Sequence, residues 1–316
     1  MRNLFWKRTV PALALALLFS GSAFAARYEI QWGTIVAGGT WQLIGTAMLE
    51  DVKKAYPEIT GSTLPSTTTA NIMGVSSGKF NVGFSISDTT AEAWDGVGYF
   101  KKPVKNIRNL ATIYPMAMQL AVRTDSGINN PGDLKGKRVS PSAKGNSSDV
   151  EAQRILKLYG LSYSDMKVQF CSFEDAAQLM VDGHLDALLF TTAFPAPSIL
   201  NVSSQQKLKL LSLPDDKVKA MTRFRGVEAY SLPAGLYRGM DAPVKTVASR
   251  THIVVRADMP DEVAYRIVKV IAENFGRYAG ILKSMQYTKA EDMAKDAGVP
   301  FHPGALKYYK ERGWIK

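Results

Sequence analysis

The stretch YEIQWGT at 28–34 runs through the glycine pair Gly38-Gly39 into TWQLIGTAMLEDVKKA at 40–55. The first segment predicts a strand over Tyr28–Thr34. The second predicts a helix over Thr40–Ala55, with Leu43, Ala47 and Val52 on its apolar side, ended by Pro57, whose ring cannot continue a helix. Strand, glycine loop and helix in that order open an α/β layered fold. The alternation continues outward from there. A polar loop from Pro65 to Thr69 precedes a helix over Ala70–Ser77, a short apolar strand over Phe80–Ile86 and a helix over Thr89–Trp94.

A second set of units follows an extended stretch, Leu110–Arg123, expected to break at Pro115. The run Asp133 to Ser140 reads as a turn feeding a strand. Gly145-Asn146-Ser147-Ser148 leads to a helix over Asp149–Leu158 that stops at Gly160, and Met166–Phe170 reads as a strand. Ser172 with Asp175 three residues later begins a helix in the manner of a capping box; Gly183 ends it, and Leu185–Phe190 is the next strand. Near Pro260 a last helix starts, with Asp261 and Glu262 at the positive end of its dipole and Val263, Ile267, Val270, Ile271 and Phe275 on its apolar stripe. The expected architecture is α/β with two lobes joined by strands, since no low-complexity linker or internal repeat separates the sets.

The first 25 residues are expected to be a leader rather than part of the fold. Arg2, Lys7 and Arg8 give a basic start, Val10 to Phe19 is apolar, and Ala23-Phe24-Ala25 is a small-x-small cleavage signal. The apolar run is shorter than the ~20 residues a membrane span needs, so Ala26 is the expected mature start and the periplasm the expected location. The chain carries 39 Lys and Arg against 28 Asp and Glu. That balance suits anionic ligands, but the cations are dispersed rather than blocked or interleaved with aromatics, which excludes a nucleic-acid surface. Cys171 is the single cysteine. No internal disulfide is possible, and a buried small hydrophobe is its expected role.

Three polar loops share one design, with small residues and hydroxyls just ahead of a helix: Gly38-Gly39-Thr40, Ser66 to Thr69 leading to Asn71, and Gly145 to Ser148. Each is either an ordinary helix cap or a cradle for an anion on the free N–H groups of the first turn. Ser87 and Asp88 follow the third strand, where Asp88 could cap the next helix or meet a ligand. Trp41 and Phe194-Pro195 could wall a cleft or pack in the core. Enzyme signatures are missing. There is no Gly-x-Ser-x-Gly elbow and no phosphate loop, and His184, His252 and His302 lie far apart without metal-ligand spacing. An enzymatic reading would rest on Asp88 or Cys171. No catalysis, metal or cofactor is expected.

The chain resembles the TAXI-type solute receptors of tripartite ATP-independent periplasmic (TRAP) transporters. Its marks are Gly38-Gly39-Thr40-Trp41, Asn71, Asn106 to Leu110 leading to Tyr114-Pro115, Asp133 to Val139, Asp186-Ala187, Ala234 to Tyr237, and His302 to Ala305 before Tyr308-Tyr309. The resemblance implies a type II-like, two-lobed periplasmic binding protein that closes over a small organic acid, glutamate-like or dicarboxylate-like, and delivers it to TRAP permease subunits. It implies a first domain of residues 26–122 plus 237–316 and a second of 123–236, with hinges near Tyr114–Arg123 and Ala234–Tyr237. It further implies ligand-facing Gly39, Thr40, Asn71, Gly145, Ser148 and Pro195. Trp41 stands where the family usually has tyrosine, Ile86 where it has glutamine, and Gly145 to Ser148 replaces Gly-Ser-Gly-Thr, all making the cleft more apolar. The candidate ligand-binding set from both readings is Gly39, Thr40, Trp41, Thr68, Asn71, Ser87, Asp88, Gly145, Asn146, Ser147, Ser148, Phe194 and Pro195. A monomer is expected. The competing reading is an ABC-type receptor for sulfonates, pyrimidines or related solutes.

Overall fold

The computed structural model describes residues 27–35 and 40–316; the expected leader and Gly38-Gly39 lie outside them. The first lobe begins with β1 (Tyr28–Gly33), α1 (Thr40–Ala55), β2 (Ile59–Leu64), α2 (Thr68–Ser77), β3 (Val82–Ile86) and α3 (Ser87–Asp95). The long β4 (Ile107–Arg123) crosses to the second lobe, built from β5 (Arg138–Ser140), α4 (Ser147–Leu158), β6 (Lys167–Val168), α5 (Phe173–Val181) and β7 (Ala187–Thr192). That lobe continues with α6 (Pro197–Gln205), β8 (Leu208–Leu210), α7 (Asp215–Met221) and β9 (Val227–Leu232). The equally long β10 (Val244–Arg256) returns to the first lobe, which α8 (Asp261–Glu273), the single turn α9 (Phe275–Tyr278) and α10 (Pro303–Glu311) complete.

One curled sheet of ten strands links the lobes. In the first lobe the order is β2-β1-β3-β10-β4, with β1, β2 and β3 parallel and β10 antiparallel to β3. The second lobe repeats it as β6-β5-β7-β4, with β5 parallel to its neighbours and β8 on β4's other edge. Each lobe thus borrows the other's long strand. Packing changes along these strands. Ile113 and Tyr114 belong to the core under α1, α8 and α10, whereas Ala117 and Ala121 join the core of α5 and α6, and Met118, Leu120 and Val122 that of α4 and α7. On β10, Ala248 lies in the second-lobe core and Ile253 in the first. No helix of the described residues is long and apolar enough to cross a membrane.

Several expectations are corrected. The chain does not break at Pro115: β4 continues through it, because Pro115 lies opposite Arg250, whose own N–H turns to the Ser87 hydroxyl. The missing donor thus falls at a pair whose β10 N–H is already turned aside, two residues before Ala117, where pairing with β7 begins. Leu43 is 55% exposed; the buried stripe of α1 is Trp41, Ile44, Met48, Leu49 and Val52, rotated by one position. Met166–Phe170 pairs over Lys167–Val168 alone. Cys171 is half-buried, its Sγ 3.7 Å from the Ser140 hydroxyl.

Trp41 packs as core rather than as an open cleft wall. It is 4% exposed, stacks on Phe84 at 5.7 Å between ring centroids, and its Nε1 donates to the Thr251 hydroxyl at 3.3 Å. Trp41→Ala is expected to cost roughly 3–5 kcal/mol of stability by chemical unfolding; a loss no larger than that of an ordinary surface substitution would contradict this placement.

Candidate functional site

The site follows from where the parallel strands end. Ile86, the last residue of β3, sits beside Thr251 of β10, which faces Tyr114 of β4; Thr192, the last of β7, sits beside Ala117 of β4, which faces Ala248 of β10. The carboxyl ends of the parallel strands of both lobes therefore reach one level of the two shared strands, and ligands of open α/β sheets gather at such ends. The amino ends of α1, α2 and α3 arrive there from the first lobe, and that of α4 from the second.

Of the expected ligand residues in the first lobe, Gly39 lies outside the described residues. Thr40 is exposed as the first residue of α1, and Thr68 is half-buried as the first of α2, whose cap is Thr67, accepting from the Ala70 N–H at 3.3 Å. Asn71 is fully buried. Its Nδ2 donates to the carbonyls of Thr34 at 2.7 Å and Phe84 at 2.9 Å, tying the end of β1 to that of β3, while its Oδ1 lacks a partner. Ser87 donates to the Gly226 carbonyl of the second lobe and accepts from the Arg250 N–H. Asp88 does not cap α3; its Oδ2 takes Arg154 of α4 at 2.9 Å and its Oδ1, also buried, has no partner.

In the second lobe, Asn146 caps α4 by accepting from the Asp149 N–H at 2.9 Å, and the Gly145 N–H donates back to Asp149 Oδ2 at 2.7 Å. Gly145 has φ 79°, a left-handed conformation that costs glycine nothing, and a Cβ there would stand 3.3 Å from the Tyr99 hydroxyl of the first lobe. Ser147 is half-buried. Ser148 is fully buried, its hydroxyl spent on both backbone groups of Thr191. Phe194, before a cis Pro195, is buried between Tyr230 and the first-lobe Tyr287, with centroids 5.4 and 5.2 Å away. A cavity of about 210 Å³ opens between the lobes, walled by Ser87, Arg225, Glu228, Arg250 and Asp296.

Reading the sequence missed the charged groups that meet here. Arg154 takes Asp88 and Glu92 together, and Arg250, nearly buried, pairs with Glu228 at 2.7 Å. Glu151 is fully buried on α4, accepting from Thr191 Oγ1 at 2.7 Å and from Ser249 Oγ of β10 at 2.9 Å. Burial, and then the nearby Asp88 charge, push its carboxyl up to about 8. Burial also pushes Glu92 up and holds His252, between Thr90 and Asn109, down at about 3. His302 is buried, and its Nδ1 accepts from the Gly304 N–H as the cap of α10. No group of side chains suited to a metal ion occurs among the described residues. The signal for Arg154 and Glu151 in the sequence is slight: both read as solvent-facing charges of an amphipathic helix.

Asn71→Ala leaves two buried carbonyls without a donor and is expected to lose roughly 1–3 kcal/mol for each by chemical unfolding; wild-type stability would contradict the tie. For Glu151 the raised carboxyl means that the folded chain holds a proton the unfolded chain has released. Its contribution is present below pH 4.5 and lost as pH rises to about 8. His252 acts in the opposite sense, its contribution being lost as pH falls from 6.5 to about 3. Stability measured from pH 6.5 to 8 is therefore expected to fall in the wild type and to stay flatter in Glu151→Gln; equal slopes would refute the assignment.

Among solved structures the chain is similar to the periplasmic aliphatic sulphonate binding protein SsuA from Escherichia coli, at 15% identity over 90% of this chain and 83% of that one, with a TM-score of 0.52. It is also similar to the alkanesulfonate-binding protein SsuA from Xanthomonas axonopodis pv. citri bound to MOPS, at 14% identity over 90% and 84%, TM-score 0.47. A putative L-cystine ABC transporter from Listeria monocytogenes matches at 14% identity over 85% and 98%, TM-score 0.46. At these identities the first of them shows the fold alone, that of a two-lobed periplasmic solute-binding protein. The family model described as NMT1-like matches residues 32–313, so the chain belongs to the NMT1-like family.

Proposed function

We propose that the chain is an exported receptor that captures a small anionic solute between its lobes and delivers it to membrane permease subunits without catalysing a reaction. The observation that carries this reading is the meeting of strand carboxyl ends and helix amino ends from both lobes at one level of β4 and β10. The positive dipole end at the start of α1 and α4 suits a carboxylate or sulfonate. Thr40, Thr68, Gly145, Asn146 and Ser147, with the Gly39 loop, are the proposed ligand contacts. Phe194 and Pro195 close the second-lobe side, while the buried Trp41, Asn71, Ser87, Asp88 and Ser148 hold the walls in place. The receptor acts as a monomer with no cofactor, and the basic leader with its cleavage signal supports a periplasmic location.

The likeness to a sulphonate-binding protein supports an ABC-type importer of sulfonates, pyrimidines or related solutes. The second reading, a TRAP permease and a glutamate-like or dicarboxylate solute, is supported by the TAXI-type marks from Gly38 to Tyr309. The change of core along the shared strands supports lobe limits near Met116 of β4 and Arg250 of β10, in place of 122 and 237.

Calorimetry with a panel of dicarboxylates, glutamate and alkanesulfonates tests the reading. One panel member is expected to saturate a single site. An alkanesulfonate tighter than every carboxylate supports the ABC-type system, and a dicarboxylate or glutamate supports the TRAP system. A well-folded protein that binds no member contradicts the receptor reading.

A further inference from the structure

We propose that α3 and Arg154 form a charge clasp between the lobes, with Arg154 as the positioning residue that sets how far the ligand-free protein is closed. This rests on the two-lobe receptor reading. Four polar residues of α3 reach across to the other lobe: Ser87 to the Gly226 carbonyl, Asp88 and Glu92 to Arg154, and Asp95 to Arg225 at 2.7 Å. The acids stand on the first lobe and the arginines on the second, so opening must separate them. Backbone approaches backbone as well, since a Cβ on Gly226 would lie 2.4 Å from the Ser87 carbonyl carbon.

The two pairs differ in burial. Arg225 and Asp95 are 48% and 39% exposed, in the range where ion pairs contribute little. Arg154 is 11% exposed and Asp88 3%, and the Phe224 ring lies 4.5 Å from the guanidinium carbon. Each end of the buried pair is anchored in its own lobe. Ala91 and Ala93 of α3 are buried and Thr90 bonds Ser85 of β3, while Ile155 and Leu156 seat α4 in the second-lobe core. The contact therefore breaks as a unit when the lobes part.

Closure is not made permanent by this clasp, because it is incomplete. Asp88 Oδ1 is buried without a donor, and Glu151 of α4, near both Asp88 and Arg154, is a further buried carboxyl at the junction. Opening returns Asp88 and Arg154 to water and recovers part of their desolvation. A solute that needs both lobes binds with an affinity scaled by the closed fraction, so changing the clasp moves affinity for every solute by the same factor.

The experiment measures distances between spin labels in the ligand-free full chain, in a Cys171→Ser background with Lys54→Cys on the first lobe and Lys219→Cys on the second. The unaltered clasp is expected to give a dominant short distance. Arg154→Met should lower the closed-to-open ratio by about tenfold or more, in line with the loss of a buried partner, while circular dichroism stays native. Glu92→Gln, which keeps shape and removes one charge, should shift the ratio less in the same direction and decides the matter if Arg154→Met fails to fold. In a background of Asp88→Asn with Glu92→Gln, Arg154→Met should add little further. Distance distributions unchanged in Arg154→Met and Glu92→Gln overturn the clasp. Because no solute is present, a panel without a binder leaves this result standing, and solute binding with unchanged distances removes the clasp while sparing the receptor reading.

Discussion

Backbone hydrogen bonding ties β4 and β10 into the sheets of both lobes, and that sharing constrains the rest of the molecule. A strand paired within both lobes' parts of the sheet cannot slide in one part without losing register in the other. Bending or twisting of one lobe against the other would be accommodated near residues 114–117 and 248–252, where each strand changes core. Because the parallel strands of each lobe end at that level, the hinge and the helix amino ends lie together. Small rotations there translate into large changes of gap further out, the mechanical basis of a hinged closure.

The interlobe level is unusual in its concentration of buried polar groups. Thr112, Ser249, Arg250, Thr251 and His252 are all buried on the two crossing strands, and Asp88, Glu151 and Thr191 face them from the helices and strand ends. A well-packed apolar interface there would give stability without reversibility. Hydroxyls and charges that can exchange protein partners for water suit two arrangements of similar free energy. The unpartnered oxygens of Asn71 and Asp88 lie at this level as well. The small cavity beside Ser87 and Arg250 shows that the lobes meet without filling the space between them.

The helices near the site were legible because their limits are local chemistry. Pro57 after α1, Asn146 and Ser172 as caps, and Gly183 in a left-handed turn each act within a few residues, and α1 was bounded at Thr40–Ala55 in agreement with the structure. The crossing strands were harder to see. In β10 the polar Thr246, Ser249, Arg250, Thr251 and His252 erase the apolar run that marks a buried strand, and in β4 Pro115 looks like a stop. Both anomalies arise at the hinge, where tertiary hydrogen bonds replace the ordinary pattern. Arg154, Glu151 and Glu92 were invisible for a related reason: a charge on an amphipathic helix looks solvent-facing until a second lobe covers it. The role of Trp41 is not fixed by its local sequence, since an aromatic in the first turn after a glycine loop fits a core as well as a cleft.

The central claim is that helix amino ends of the two lobes converge on one crevice that grips a small acid. Native mass spectrometry of the full chain, purified without refolding, addresses it most directly. The account predicts a folded species heavier than the polypeptide by one small anionic molecule, which is lost on denaturation. A folded species at the bare polypeptide mass, unchanged after dialysis against the organic acids and sulfonates, would contradict it.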